Sequence, residues 1–187
     1  MYEVEIKVEL DETEQQELRT ALKQKDFLPT KVTPQADYYV EVKDSPYGGR
    51  DLKRYRDEDG KLIYTEKVWE KHNGELARKE HEREVSREEF NEARAKYPKV
   101  PFIKKQREWF KGSYKDIPIS FTIDTVELSD SKKNRYFIEA EIGVADSNDV
   151  AKTKSFLKEF LKDLLGKSEI IEAPGMVTLA MSLMKGV

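Results

Sequence analysis

The feature that most limits what this chain can fold into is the alternation that opens it. In Glu3-Val4-Glu5-Ile6-Lys7 the charged residues occupy odd positions and the aliphatic residues even ones. Successive side chains of an extended strand point to opposite faces, so Glu3, Glu5 and Lys7 share one surface while Val4 and Ile6 form the other. Two readings fit such a strand. One is an ordinary half-solvated strand with its polar face in water. The other lines a wet cavity, where same-face neighbours about 7 Å apart can share a polyanionic ligand or its metal ions.

The pattern recurs along the chain. Glu139 and Glu141 share a face opposed by Ile138, Ala140 and Ile142, and Thr122 and Asp124 oppose Phe121 and Ile123. Arg54 and Arg56 are two residues apart, as are Lys105 and Arg107, and Glu82 and Glu84; Lys67 lies on a strand of its own. Like charges at adjacent same-face positions repel unless something of opposite charge lies between them. Paired carboxylates suit hard divalent cations, and paired Arg and Lys suit phosphate. A closed sheet satisfies both halves of the pattern, with apolar backs under covering helices and charged faces toward a wet interior.

The strands carrying these residues are separated by recognisable stops. The pairing Thr13–Gln16 predicts a capped helix ending near Asp26, and Ser86–Glu89 predicts a second, running to about Lys96 before Pro98 and Pro101. Strands are expected over 1–10, 37–42, 51–56, 62–70, 79–85, 102–110, 119–128 and 135–144, with Glu58-Asp59-Gly60-Lys61 as a hairpin turn. Val150, Phe156, Leu157, Phe160, Leu161 and Leu164 form an amphipathic stripe closed by Gly166, and the apolar tail after Gly175 is expected to pack on the body of the fold. Hairpin-like connections imply antiparallel pairing, hence an α+β fold in which eight antiparallel strands can close into a barrel.

Composition narrows the partners. The chain has 187 residues, enough for one domain with a real core, and 38% of them are charged, against roughly a quarter in an average protein. Its 34 basic and 37 acidic residues are interleaved and leave a net charge of −3, which argues against a nucleic-acid partner. It has no cysteine, so thiolate chemistry and disulfides are excluded. No apolar stretch approaches the roughly 20 residues of a membrane span, and the first residues lack the pattern of a secretory signal. A soluble, cytoplasmic protein without membrane contact is the expectation. His72 and His81 have no metal-ligand spacing, so a histidine metal site or a Ser-His-Asp triad is poorly supported.

In order along the chain, Glu3-x-Glu5-x-Lys7, Arg54-x-Arg56, Lys67, Glu82-x-Glu84, Lys105-Gln106-Arg107, Asp124 and Glu139-Ala140-Glu141 resemble the CYTH family, also called triphosphate tunnel metalloenzymes. The likeness covers about residues 1–144 and extends to the helix ending at 165. It implies an eight-stranded antiparallel barrel forming a tunnel, in a single domain over 1–187 with a helical segment from about 146. Members of that family are class IV adenylyl cyclases, thiamine triphosphatases and inorganic triphosphatases, which need Mg²⁺ or Mn²⁺.

Carried onto this chain, the resemblance assigns Glu5, Glu139 and Glu141 to metal binding, with Glu3 and Asp124 supporting the same or a second ion. It assigns Lys7, Arg54, Arg56, Lys67, Lys105 and Arg107 to phosphate oxygens, with Lys7, Arg56 and Arg107 as catalytic groups. For Glu82 and Glu84, strand parity does not say which, if either, approaches a metal. Two stretches depart from the family. Val126–Arg135 lacks its usual Gly-containing turn, and the tail lacks its polar Ser-Tyr element, leaving Lys185 as a late basic group.

The expected activity is metal-dependent hydrolysis of a small-molecule triphosphate by a monomer or homodimer. A cyclase releasing pyrophosphate is the alternative, since it uses the same charged residues. Non-catalytic polyphosphate binding is a second alternative, which would need the bases but not the full acid set. In a third, the charges merely pair internally, which gives little net stability.

Overall fold

The computed structural model describes residues 2–47, 49–72, 75–127 and 134–184. Eight strands run in chain order as β1 (Tyr2–Leu10), β2 (Leu28–Asp44), β3 (Arg50–Glu58), β4 (Lys61–His72), β5 (Glu75–Glu84), β6 (Phe102–Tyr114), β7 (Ile117–Glu127) and β8 (Arg135–Val144). They close into a barrel in the order β1-β5-β4-β3-β2-β6-β7-β8, with every neighbouring pair antiparallel. The fold is therefore the α+β barrel that the alternation implies.

Four helices accompany the strands: α1 (Glu12–Gln24), α2 (Arg87–Lys96), α3 (Val150–Leu165) and α4 (Met176–Met184). The cap of α1 differs from the Thr13–Gln16 expectation. Asp11 accepts from the Glu14 backbone N–H at 2.8 Å, and Glu14 accepts from the Asp11 N–H at 2.9 Å. Asp11 follows β1 directly, so the helix starts as soon as the strand ends and its acid satisfies an otherwise open N–H. At α2 half of the expected box forms: Glu89 N–H donates to Ser86 Oγ at 3.1 Å, while the Glu89 carboxylate accepts from Arg83. Before α3 lies a 3₁₀ turn over Ser147–Asp149, and α3 ends on Gly166 in the left-handed region (φ 63°).

β2 is much longer than the predicted 37–42, because two prolines that ordinarily break a strand sit where they cost little. Near Pro29 the register against β6 shifts, a bulge that absorbs the missing donor. At Pro34 the carbonyl accepts from Asp59 in the β3–β4 turn, so the lost N–H points to the side where β3 has ended.

The main core lies outside the barrel. Val4, Ile6 and Val8 of β1, Phe121 and Ile123 of β7, and Ile138 and Ala140 of β8 pack under Leu18 and Leu22 of α1 and Leu157, Phe160 and Leu161 of α3. Phe27 stacks on Phe160 at 5.3 Å and meets Phe121 edge-on at 6.3 Å. With its aliphatic face committed to this core, each of these strands turns its charged face inward.

A second cluster closes one end. Met176, Val177, Leu179 and Ala180 of α4 are buried against Tyr39, Ile103, Val126 and Phe137. Ile103 shares parity with Lys105 and Arg107, and Phe137 with Glu139 and Glu141, so α4 packs on the inward face of the barrel. The chain reaches that position along β1, where Ala173 N–H donates to the Lys7 carbonyl at 2.8 Å. Among the described residues no helix is long and apolar enough to cross a membrane.

Candidate active site

The inward faces enclose a cavity of about 930 Å³. Glu3, Glu5, Lys7, Arg54, Arg56, Lys67, Glu82, Lys105, Arg107, Glu139 and Glu141 all line it, so residues from six strands meet around one hollow. Asp124, expected to support a metal, and Glu84, whose role the sequence left open, are placed elsewhere. Asp124 is fully buried behind the lining, and the Glu84 side chain, 71% exposed, pairs with Lys61 at 2.6 Å. Lys185 and most of Val126–Arg135 lie outside the described residues.

Register explains how so many charges tolerate one another. Along the sequence acid neighbours acid and base neighbours base, but across the strands opposite signs face each other. Lys7 is registered against Glu139, Asp37 against Arg56, Lys67 against Glu80, Arg107 against Asp124, and Glu3 against Arg78. Directly opposed unlike charges stabilise a ladder and like charges weaken it. Glu5 and Glu141 break the rule, two carboxylates directly opposite each other.

The basic side is built on buried aspartates. Asp124 accepts from Arg107 Nε and Nη2, both at 2.6 Å, and from Lys105 Nζ at 2.8 Å. Arg107 Nη2 also donates to Glu139 at 2.5 Å, and Glu139 pairs with Lys7. Burial opposes ionisation of Glu139, yet Arg107 and Lys7 hold its carboxyl well below the usual range. Lys7 is likewise raised against the effect of burial, chiefly by Glu139. Lys105 shares its ion-pair partner Asp124 with Arg107, and burial together with the Arg107 charge pulls it down to about 8. An incoming anion would supply the missing compensation. Asp37 of β2 fixes Arg56 of β3 through two hydrogen bonds at 2.6 and 3.0 Å, and lies 3.6 Å from Arg54.

The acidic side is gathered on β1, β5 and β8. Burial pushes Glu141 up to about 7, reinforced by the charges of Glu3 and Glu5. Among the described residues no cation lies within ion-pair distance (4.0 Å) of Glu141. Glu5 takes its partner from β5, Arg78 Nη2 at 2.7 Å, and Glu3 pairs with Lys67 at 3.3 Å. Among the described residues no three acidic or histidine side chains converge on one ion-sized point, because most of the acids are turned toward a registered base. The donor chemistry nonetheless fits a hard cation: Glu3, Glu5, Glu139 and Glu141 are all oxygen donors, close enough for Glu3 and Glu5 to lift the pKa of Glu141.

Several lining residues were not singled out in the sequence: Asp37, Arg50, Arg78 and Glu80. A signal for two of them was present. Arg78, Glu80 and Glu82 continue the two-residue spacing toward the N-terminus, so the inward acids of β5 are Glu80 and Glu82, not Glu82 and Glu84. Glu82, at the rim, accepts from Thr65 Oγ1 at 2.8 Å and from Arg54 at 3.3 Å. Asp37 was masked by its aromatic neighbours. Tyr38 points outward onto Phe102 at 4.6 Å, whereas Tyr39 is buried inside. Trp69 and Trp109 both line the cavity, and Lys31 and Arg107 lie 4.8 and 5.3 Å from the Trp109 ring.

Known structures share this architecture. PH1819 protein from Pyrococcus horikoshii OT3 superposes with a TM-score of 0.67 at 19% identity, over 97% of this chain and 99% of that one. PH1012 protein from the same organism gives a TM-score of 0.67 at 21% identity, over 95% and 98%. HpAC1 from Hippeastrum, described as having a dominant triphosphatase activity, gives 0.60 at 17% identity, over 97% and 96%. At these identities the likeness is one of fold. No curated protein is matched by the sequence. The family model for the CYTH domain matches residues 1–169, and the chain therefore belongs to the CYTH domain family.

Proposed function

We propose that this protein hydrolyses a triphosphate bound inside the barrel, with Mg²⁺ or Mn²⁺ as cofactor. The observation that carries this reading is the division of the lining. Glu5 and Glu141 face each other as like charges on β1 and β8, while Arg54 and Arg56 project from β3, halfway round the ring from β8. Acidic and basic lining residues are balanced in number, which suits an anion that arrives with a cation better than a bare anion.

In this reading Lys7, Arg54, Arg56, Lys67, Lys105 and Arg107 hold phosphate oxygens. Arg56 and Arg107 are pre-oriented by Asp37 and Asp124, and with Lys7 they stabilise the charge that builds on the transferred phosphoryl group. Glu3, Glu5, Glu139 and Glu141 hold the metal. Asp124 acts through Arg107 and Lys105 as a positioning residue, a narrower role than direct ligation. A divalent ion held by these carboxylates would supply Lewis-acid charge neutralisation to the triphosphate. Met176 and Val177 of α4 bring apolar side chains to the cavity lining, and the space they take favours hydrolysis of a compact triphosphate over cyclisation.

The test is incubation with tripolyphosphate, thiamine triphosphate and ATP, each with Mg²⁺, with Mn²⁺ and with chelator, measuring phosphate, pyrophosphate and cyclic nucleotide separately. Metal-dependent phosphate release is expected. Cyclic nucleotide with pyrophosphate would replace hydrolysis with cyclisation, and binding without turnover would leave a polyphosphate-binding domain.

A further inference from the structure

The least expected group in the lumen is Arg78. It enters from β5 at the one registered β1–β5 pair among the described residues, Glu3 opposite Arg78. Its Nη2 lies 2.7 Å from Glu5 Oε2 and 3.8 Å from Glu3 Oε1. Its guanidinium stands 5.8 Å from the Trp69 ring centroid, so an aromatic face backs it on one side and carboxylates meet it on the other. The Trp69 backbone N–H donates to Asp51 at 2.8 Å. Gly49 packs so close that a Cβ there would come within 2.6 Å of the indole nitrogen. Arg78 is thus held in place from behind.

We propose that Arg78 is a built-in counter-ion that competes with the divalent cation for Glu5 and Glu3, and so sets how tightly this lumen binds metal. The proposal rests on the reading of Glu5 and Glu141 as cation ligands. The oxygen lone pairs that accept from Arg78 are those a metal would use, and an oxygen cannot serve both fully. A fixed guanidinium beside the site also repels a divalent ion whether or not it withdraws. With Glu5 engaged by a cation, the Arg78 side chain would lose its nearest carboxylate, 2.7 Å away. The freed guanidinium then becomes a further donor for a phosphate oxygen.

The experiment is Mn²⁺ binding without substrate, by calorimetry or electron paramagnetic resonance, on the full chain and its Arg78→Gln, Arg78→Lys and Glu5→Gln variants. Thermal denaturation is recorded with and without Mn²⁺. Arg78→Gln is expected to bind Mn²⁺ roughly tenfold tighter than wild type, or more, and to gain a larger Mn²⁺-dependent rise in Tm. Arg78→Lys, which keeps the charge, should stay within about threefold of wild type. An Arg78→Gln protein that folds only with Mn²⁺ also supports competition; one that Mn²⁺ does not recover contradicts it. If wild type binds Mn²⁺ and Glu5→Gln loses it, but Arg78→Gln binds no tighter, the competition is wrong and the metal reading stands. If no variant binds Mn²⁺, both fall.

Discussion

Asp37 accepts two hydrogen bonds from Arg56, at 2.6 Å from Nε and 3.0 Å from Nη2, while itself only 1% exposed. A buried carboxylate so placed fixes a guanidinium in one orientation before any ligand arrives. Removing one partner of a buried pair leaves the other uncompensated, which costs about 3–5 kcal/mol. Asp37→Ala is predicted to lose stability of that order and to raise KM for tripolyphosphate.

The same pair has a pH signature. Burial raises the pKa of Asp37, but Arg56 and Arg54 override it and hold the carboxyl well below its ordinary value. A depressed pKa contributes stability that is present above the ordinary aspartate value, about 4, and is lost as pH falls below it. Urea denaturation should therefore show the gap between wild type and Asp37→Asn shrinking below about pH 4. A gap independent of pH would contradict the ion-pair account.

On β5 the structure separates two acids that look alike in sequence. Glu82 reaches Thr65 and Arg54 at the rim of the cavity, whereas Glu84 pairs outside it with Lys61. Glu84→Gln is expected to leave turnover within about twofold, as surface pairs contribute little. Glu82→Gln is expected to lower kcat/KM by roughly tenfold, the scale of one charge-assisted hydrogen bond. Equal effects from the two substitutions would mean that β5 does not leave the cavity between Glu82 and Glu84.

Outside the barrel, Gly112 of β6 makes room for Phe27, whose ring atoms would lie 2.6 Å from an added Cβ. Gly112→Ala is predicted to cost about 1–3 kcal/mol through overpacking. Because Gly112 has outward parity, KM should not move. A stability loss accompanied by a large KM change would place Gly112 differently.

The helix that closes one end gives a selectivity prediction. Leu179 is 5% exposed in the cluster that joins α4 to Tyr39, Ile103 and Phe137. Leu179→Ala should cost about 2–4 kcal/mol. By thinning the apolar end of the lumen, it should raise ATP turnover relative to tripolyphosphate turnover. An unchanged ratio would show that α4 does not limit substrate size.

Much of this was legible in the sequence, for a physical reason. The period-two alternation of Glu3, Glu5 and Lys7 fixes which face must be buried, and the aliphatic set Val4, Ile6 and Val8 leaves one choice once a covering helix exists. The barrel and most lumen residues follow from that, and the helix over 150–165 follows from its own apolar stripe closed by Gly166. Cross-strand register is not local, so the pairing of Lys7 with Glu139 or Asp37 with Arg56 was hidden. Glu84 was misleading because parity says which face a residue shares but not where the strand leaves the cavity. Arg78 escaped notice because its strand begins earlier than its apolar content suggests. The length of β2 was obscured by Pro29 and Pro34, whose cost depends on which neighbouring strand is present beside them.

The central claim is that the inward charges act together on a metal-complexed triphosphate. The most direct measurement is phosphate release from tripolyphosphate with saturating Mn²⁺ by wild type, Arg107→Gln and Glu5→Gln, with the fold of each verified by thermal denaturation. Both variants are predicted to lose at least about a hundredfold in kcat/KM while remaining folded, on the scale of losing a transition-state donor. Folded variants that keep wild-type turnover, or a wild type that releases no phosphate from any triphosphate, would contradict it.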